Sequence, residues 1–313
     1  QIPSKIFLAL TMRLIQAGYF YTFDDLPGLL YKYNNHSSVY HPAYWVYSQD
    51  NTLFIISRGS KIYPDFETAA IFTETLTDFG TFHTGYYKSA LYIWNEVKEY
   101  VKDFPGPVKF IGHSLGAAVS QILHIFAVNE FPEKFKTHQI PFETYAYAPP
   151  PTMNEEAILE IKDHVYSFVN DDDIVPTLSI PNLYKRLTLI EPVISIISTD
   201  TLVSITRNLL KVINITSLMD QALFDMIYYA APILINSVKE YDAGAPKFVE
   251  YPVGTVFQLK LNHPKQLSQC LIDPKEQLNI ISISLNCIAH HKSERYVEIV
   301  DEIIEENSIN FLY

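Results

Sequence analysis

Short apolar segments alternate along the chain with longer amphipathic segments, and this alternation predicts the order of strands and helices. Strands are predicted at residues 43–47, 53–57, 108–111, 141–148, 164–169, 255–261 and 280–285. Helices are predicted at 6–16, 87–102 and 117–129, whereas proline, glycine and asparagine predict loops across 23–42. Strands that alternate with helices indicate an α/β fold with a mostly parallel sheet covered on both faces.

One region interrupts this alternation. From about residue 188 to 245 the chain is rich in isoleucine, leucine and valine and poor in charge. Apolar side chains at 202, 205, 209 and 212 recur at three- or four-residue spacing, which predicts a helix. Residues 221–238 are nearly apolar and about as long as a short transmembrane helix, although Asp225 and Pro232 interrupt them. The favoured interpretation is a helical insertion that caps the sheet, and an apolar surface in contact with lipid is the alternative.

Composition narrows the class of partner. The 313 residues are expected to form a single domain, 1–313, because one sheet of this kind uses a chain of this length. A net charge of −12 argues against a nucleic-acid partner and against electrostatic docking to anionic lipid. Cys270 and Cys287 are the two cysteines; they are interpreted as free thiols, with one disulfide between them as the alternative. No zinc site or other metal is expected. Neither a signal peptide nor a convincing transmembrane segment is visible, which leaves a secreted and a membrane-peripheral location both open.

The pentapeptide GHSLG at 112–116 lies between a predicted strand and a predicted helix. A serine on a sharp strand-to-helix turn is the nucleophile elbow of a serine hydrolase. The turn lifts the Ser114 hydroxyl above the sheet edge, and a Cβ at either glycine would collide with the neighbouring strand or helix. Ser114 is therefore the predicted nucleophile, and His113 is interpreted as a packing residue of the elbow.

A serine hydroxyl reacts only when a histidine accepts its proton and a carboxylate holds that histidine. In α/β hydrolases the three follow one another as Ser, Asp or Glu, and His. The side chains that satisfy this order at predicted strand ends are Asp171, Asp172, Asp173, His290 and His291. His263 lies in a turn-like stretch before Pro264 and is a weaker rival. The residues alone leave this choice open.

Several further segments carry longer motifs: HPAY at 41–44, SRGS at 57–60, HTGY at 83–86, YAYAPPP at 145–151 and VNDDDIVPTL at 169–178. Together with the elbow they resemble the class 3 lipases, and within that family the sn-1-specific diacylglycerol lipase branch. The resemblance extends from about residue 40 to 296, apart from the insertion, and implies an α/β-hydrolase fold. The segment 145–151 is the one that favours the diacylglycerol lipase branch.

The resemblance also implies the members of the triad. Asp173, which directly precedes Ile-Val-Pro, is implied to be the acid, and its two preceding aspartates are interpreted as turn residues. His291, five residues before Tyr296, is implied to be the base. His290 stands where the family has an aspartate and remains an alternative base.

The remaining site residues are likewise implied by the resemblance. The backbone N–H groups of Ser60 and Leu115 are implied to form the oxyanion hole, with Arg58 and Gly59 setting the loop geometry. His83 is interpreted as a supporting wall residue. The segment 61–82 corresponds to the family's lid, and its apolar residues at 71, 72, 76 and 79 suit a cover over an apolar cleft. Activation at a lipid interface is the hypothesis that follows.

The expected function is hydrolysis of glycerolipid acyl esters through a Ser–Asp–His triad and an acyl-enzyme, without a cofactor. Di- or monoacylglycerols are the favoured substrates, and contact with a membrane or lipid-droplet surface is an expected accompaniment. A phospholipase A1 or a small-ester esterase is the alternative within the enzymes. A lipase-like pseudoenzyme that serves as an interaction module is the alternative of another class.

Overall fold

A computed structural model describes residues 3–33, 38–137, 142–187, 197–215, 231–233, 235–240, 251–259, 267–269, 278 and 289–309. The predicted strand 280–285 lies outside these residues, as do His263, Cys270 and Cys287. Most of the apolar stretch 221–238 lies outside them as well.

The described residues form strands and helices in an alternating order. The strands are β1 (Leu29–Tyr33), β2 (Tyr44–Gln49), β3 (Thr52–Ser57), β4 (Glu74–Thr77), β5 (Gly80–His83), β6 (Val108–His113), β7 (Phe142–Tyr147), β8 (Val165–Asn170), β9 (Thr255–Leu259) and β10 (Leu267–Gln269). The helices are α1 (Lys5–Phe20), α2 (Tyr63–Ala69), α3 (Thr84–Asp103), α4 (Leu115–Glu130), α5 (Pro132–Thr137), α6 (Glu155–Ile161), α7 (Ile180–Leu187), α8 (Thr199–Ile215) and α9 (Ser293–Ile309). A 3₁₀ turn, Ala289–His291, precedes α9.

Eight of these strands form one sheet in the order β1-β2-β3-β6-β7-β8-β9-β10. The pairs from β3 to β9 are parallel, and the outer pairs β1–β2, β2–β3 and β9–β10 are antiparallel. Parallel strands have their carboxyl ends at the same sheet edge, so the segments that follow β3, β6 and β8 converge there.

The sheet is covered on both faces, as its alternating side chains require. On β3, Leu53 and Ile55 pack into a core with α3, α4 and α6, whereas Phe54 and Ile56 pack into a second core with α1 and α9. Helix α4 is buried on nearly all sides from 115 to 127, since it lies between the sheet and α3. A helix that is apolar all round fits this central position.

One prediction about a loop was wrong. The stretch 23–42, predicted to be loops, contains β1, an edge strand that pairs antiparallel with β2. Three of its five residues are exposed, so it lacks the apolar alternation that identifies a half-buried strand. The segment 61–82, predicted only as a lid, contains α2 and an antiparallel hairpin of β4 and β5.

The other predicted elements that lie among the described residues are confirmed, with boundaries that move by a few residues. The helix predicted from the apolar positions 202–212 is α8. Short helical pieces follow at 231–233 and 235–239. In the part of the chain that the structure describes, no helix combines the length and the apolarity needed to cross a membrane. The single-domain organisation of residues 1–313 stays a prediction.

Candidate active site

Ser114 occupies the turn between β6 and α4 in a backbone conformation that a non-glycine residue rarely adopts, with φ 57° and ψ −125°. Two hydrogen bonds hold this conformation. The Ser114 N–H donates to the carbonyl of Tyr147 at 2.8 Å, and the Ser114 carbonyl accepts from the N–H of Ala117 at 2.9 Å as the helix begins. The adjacent strand β7 and the first turn of α4 thus stabilise the strained backbone of Ser114.

The two glycines of the elbow allow strand and helix to approach closely. A Cβ on Gly112 would lie 2.1 Å from the carbonyl carbon of Gly116. A Cβ on Gly116 would lie 2.1 Å from the carbonyl oxygen of Ser57 at the end of β3. Both contacts are with backbone, which cannot move aside, so the elbow requires glycine at both positions.

His291 joins the serine to a carboxylate. Its Nε2 lies 2.9 Å from Ser114 Oγ, and its Nδ1 lies 3.1 Å from each carboxylate oxygen of Asp173. A carboxylate only accepts, so Nδ1 carries a proton and Nε2 is free to accept the hydroxyl proton of Ser114. The three residues implied by the sequence therefore meet in one hydrogen-bonded line.

The side chain of Asp173 is fully buried. Its carboxylate accepts hydrogen bonds from two donors besides the imidazole of His291. The hydroxyl of Tyr296 donates to Oδ2 at 2.7 Å, and the N–H of Val175 donates to Oδ1 at 2.9 Å. The same Tyr296 hydroxyl accepts from the N–H of Asn170 at the end of β8, at 3.0 Å. Bonds of this kind offset the cost of burying a carboxylate and fix its orientation.

The neighbouring pair, His290 and Asp172, is arranged differently. His290 Nδ1 hydrogen-bonds the carboxylate of Asp172, and Asp171 Oδ2 lies 4.0 Å from the same nitrogen. The ligand atoms of these three side chains lie within 4.8 Å of one another, but a direct hydrogen bond already joins two of them and Asp171 is exposed. The alternative base His290 is therefore engaged with Asp172, whereas His291 faces Ser114.

The two oxyanion candidates lie on segments that are packed together at the sheet edge. Leu115 is the first residue of α4, where the leading N–H groups have no acceptor within the helix. Ser60 lies on the loop after β3. A buried ion pair holds this loop in place, with Arg58 Nη2 3.1 Å from Asp65 Oδ2. Asp65 also accepts from the N–H of Lys61 at 3.0 Å, so one carboxylate organises the loop around Ser60.

The lid segment carries both anchored and exposed parts. Helix α2 is anchored by Asp65, while Leu76 on the β4–β5 hairpin is 82% exposed. His83 stacks on Tyr86 with ring centroids 3.8 Å apart and caps α3, and burial lowers the pKa of His83 to about 3. A neutral, buried imidazole of this kind fits the wall role expected from the sequence.

The structure also brings to the site a residue that sequence reasoning missed. The hydroxyl of Tyr19, on α1, lies 3.0 Å from Nδ1 of His113. Nothing in the local sequence marks Tyr19, because its link to the elbow spans 94 positions and depends on how α1 packs on the sheet.

The sequence around this site was compared with known protein families. Residues 54–183 match the family model described as Lipase (class 3). The resemblance to the class 3 lipases is confirmed. This family match covers most of β3, the elbow and Asp173. It supports carboxylic ester hydrolysis as the reaction class and a lipid as the substrate class. The match does not distinguish the diacylglycerol lipase branch from other class 3 lipases.

Solved structures of lipases are similar in fold. One is a triacylglycerol lipase whose catalytic centre is formed by a serine protease triad; it is 16% identical, with 90% of this chain and 91% of that chain covered and a TM-score of 0.54. Another is the native propeptide complex of Rhizomucor miehei lipase, 16% identical, with 93% and 78% covered and a TM-score of 0.53. These likenesses confirm the α/β-hydrolase fold. No protein of curated function matches the sequence.

Proposed function

We propose that this protein hydrolyses acyl esters of glycerolipids through Ser114, with di- or monoacylglycerols as the favoured substrates. The observation that carries the proposal is the position of His291, which hydrogen-bonds Ser114 Oγ at 2.9 Å and Asp173 at 3.1 Å. The match of residues 54–183 to the class 3 lipases supports the same reaction class.

The reaction begins when Nε2 of His291 takes the hydroxyl proton and Ser114 Oγ attacks the ester carbonyl. The imidazolium is stabilised by Asp173, and the oxyanion of the tetrahedral intermediate accepts hydrogen bonds from the N–H groups of Ser60 and Leu115. The bond to the alcohol oxygen then breaks, and His291 returns its proton to the leaving alcohol. Water, deprotonated by His291, attacks the acyl-enzyme and releases the fatty acid and free Ser114.

The surroundings of Asp173 support its role as the carboxylate that orients the imidazole of His291. Its carboxylate accepts from three different donors, so the imidazole has one oriented partner before the substrate arrives. Preorganised partners of this kind lower the barrier because they need no rearrangement when charge develops.

The preference for diacylglycerol-type substrates is supported by the segment 145–151. Its Tyr147 carbonyl accepts from the nucleophile's N–H at 2.8 Å, and Ala148 has a positive φ of 50° as the chain turns away from β7. The three prolines that follow are buried, so the segment forms a fixed wall next to the elbow. The substrate distinction that we infer from this motif would therefore arise beside the reacting carbonyl.

A panel of esters tests the proposal. Diacylglycerol, monoacylglycerol, triacylglycerol, phospholipid and a short p-nitrophenyl ester are compared at equal concentration, with Ser114→Ala as the control. We expect fastest fatty-acid release from di- or monoacylglycerol and a loss of at least about a thousandfold in Ser114→Ala. Faster release from phospholipid would favour a phospholipase A1, and turnover of the p-nitrophenyl ester alone would favour a small-ester esterase. Activity that survives in Ser114→Ala would overturn the mechanism.

We also propose that the segment 61–82 contacts the lipid aggregate. The exposed Leu76 supports this, because an 82% exposed leucine on a hairpin gains from burial in lipid. The test measures the rate of hydrolysis of a short-chain triacylglycerol as its concentration is raised past its solubility limit. A rise above the limit that is reduced in Leu76→Ser supports the contact, and a flat profile contradicts it.

A further inference from the structure

Three segments distant in sequence meet around the side chain of Tyr19. Its hydroxyl lies 3.0 Å from Nδ1 of His113 on the elbow. A Cβ on Gly59 would lie 2.1 Å from the same hydroxyl, so the loop before Ser60 packs directly on this phenol. The helix α1 thereby reaches both the elbow and the loop of the oxyanion hole.

The other side of His113 reaches the third catalytic segment. Its Nε2 lies 2.9 Å from the backbone carbonyl oxygen of His291, and the two imidazoles stack with centroids 4.9 Å apart. A carbonyl only accepts, so Nε2 of His113 carries the proton. Burial lowers the pKa of His113 to about 3, so the ring is neutral and Nδ1 is the acceptor for the hydroxyl of Tyr19.

One directed chain of hydrogen bonds results. The hydroxyl of Tyr19 donates to His113, and His113 donates to the carbonyl of His291. Burial raises the pKa of the Tyr19 hydroxyl above its ordinary value, so it stays a donor. Because one ring nitrogen of His113 bonds the hydroxyl of Tyr19 and the other bonds the carbonyl of His291, the backbone of His291 is linked to a residue on α1.

The end of α1 is held to the same loop by a second contact. The Lys61 ammonium donates to the carbonyl of Tyr19 and lies 3.9 Å from the ring centre of Tyr21. Tyr19 is outside the segment 54–183 that matches the class 3 lipases, so the family match gives it no role.

We propose that Tyr19 acts through His113 as a positioning residue that holds the backbone of His291 at the distance needed for proton transfer from Ser114. The inference rests on the proposed function, because it concerns the same reaction. Tyr19 touches none of the reacting atoms, so its effect is on kcat and not on substrate binding. Displacements of a fraction of an ångström in such a site are enough to slow the reaction.

The first experiment compares Tyr19→Phe with Tyr21→Phe on the preferred ester of the substrate panel. Tyr21 is a matched control because it lies on the same helix end and presents an exposed ring under Lys61. Active sites are titrated with a fluorophosphonate, so that kcat refers to folded, reactive enzyme. We expect kcat to fall roughly 5- to 20-fold in Tyr19→Phe with KM within about twofold, and Tyr21→Phe to match the wild type.

A double-mutant cycle then tests the route through His113. A glutamine at this position keeps an amide N–H for the carbonyl of His291 but removes the ring nitrogen that Tyr19 addresses. In the His113→Gln background, Tyr19→Phe should therefore change kcat by less than about twofold. Effects that multiply would show that Tyr19 acts independently of His113 and would overturn the proposal.

The outcomes separate this inference from the proposed function. If the wild type shows no Ser114-dependent turnover of any ester, the proposed function fails and the inference fails with it. If the wild type turns over the ester but Tyr19→Phe equals Tyr21→Phe per titrated site, only the positioning role is wrong.

Discussion

The hydroxyl of Tyr296 offers the sharpest test of how Asp173, the proposed triad acid, is held in place. It donates to the buried carboxylate of Asp173 at 2.7 Å and accepts from the N–H of Asn170 at 3.0 Å. Tyr296→Phe removes both bonds and leaves the ring, which is fully buried against α1, in place. The substitution therefore isolates the hydroxyl from the packing.

The expected magnitude follows from these two bonds. A hydrogen bond to a charged group contributes about 1.5–3 kcal/mol, and a buried N–H left without an acceptor costs about 1–3 kcal/mol. Asp173 keeps its bonds from His291 and Val175, so its charge is not left unpartnered. We therefore expect Tyr296→Phe to lower the free energy of unfolding by about 3 kcal/mol.

Urea unfolding measures this loss, with Tyr147→Phe as the matched control. Tyr147 is also fully buried, and its hydroxyl shares a neutral hydrogen bond of 2.7 Å with Thr11, which also donates to the carbonyl of Leu8. Its loss should cost about 1 kcal/mol, at an unchanged slope against urea. Equal losses in the two variants, or a loss below about 1 kcal/mol for Tyr296→Phe, would refute the reasoning.

Three further predictions follow from the same geometry. His291→Gln should lower kcat by at least about a thousandfold while His290→Gln stays within about tenfold, and steady-state kinetics showing the reverse would exchange their roles. Asp65→Asn removes the carboxylate charge that pairs with the buried Arg58 and should lower the free energy of unfolding by about 3–5 kcal/mol in urea; a loss below about 1 kcal/mol contradicts this. Burial lowers the pKa of His124 from 6.5 to about 3, so the unfolded state binds the additional proton and stability falls as pH drops from 6.5 towards 3. His124→Gln should reduce this slope by up to about 1.4 kcal/mol per pH unit, and parallel stability curves would contradict the assignment.

The elbow that holds Ser114, the proposed nucleophile, could be predicted because its signal is local. The strand, the turn and the helix around Ser114 are consecutive in the chain, and the two glycines report backbone contacts that any elbow of this kind makes. The central parallel strands were predictable for a similar reason, since each is a short apolar run between turn residues.

The choice among the three aspartates was not local in this sense. Asp171, Asp172 and Asp173 differ in the turn by one residue each, and the resemblance to a known motif, not the spacing, favoured Asp173. In the structure Asp171 has a positive φ of 44° at the turn, and only Asp173 points into the core beneath Tyr296. Such a difference depends on the backbone of the turn, which the residue types do not specify.

The supporting contacts could not be predicted at all. Tyr19 and His113 are joined across 94 positions, and their link exists only because α1 packs against the face of the sheet next to the elbow. His113 was interpreted as a packing residue, whereas its two ring nitrogens both take part in hydrogen bonds. Such contacts depend on how distant segments pack together, so a local sequence motif cannot predict them.

The most direct test of the central claim is covalent labelling of the folded protein with a fluorophosphonate, followed by peptide mass spectrometry. The account predicts one adduct per chain, located on Ser114, absent in Ser114→Ala and strongly slowed in His291→Gln. A folded wild-type protein that forms no adduct, or an adduct on another serine, would contradict the assignment of Ser114 as the nucleophile.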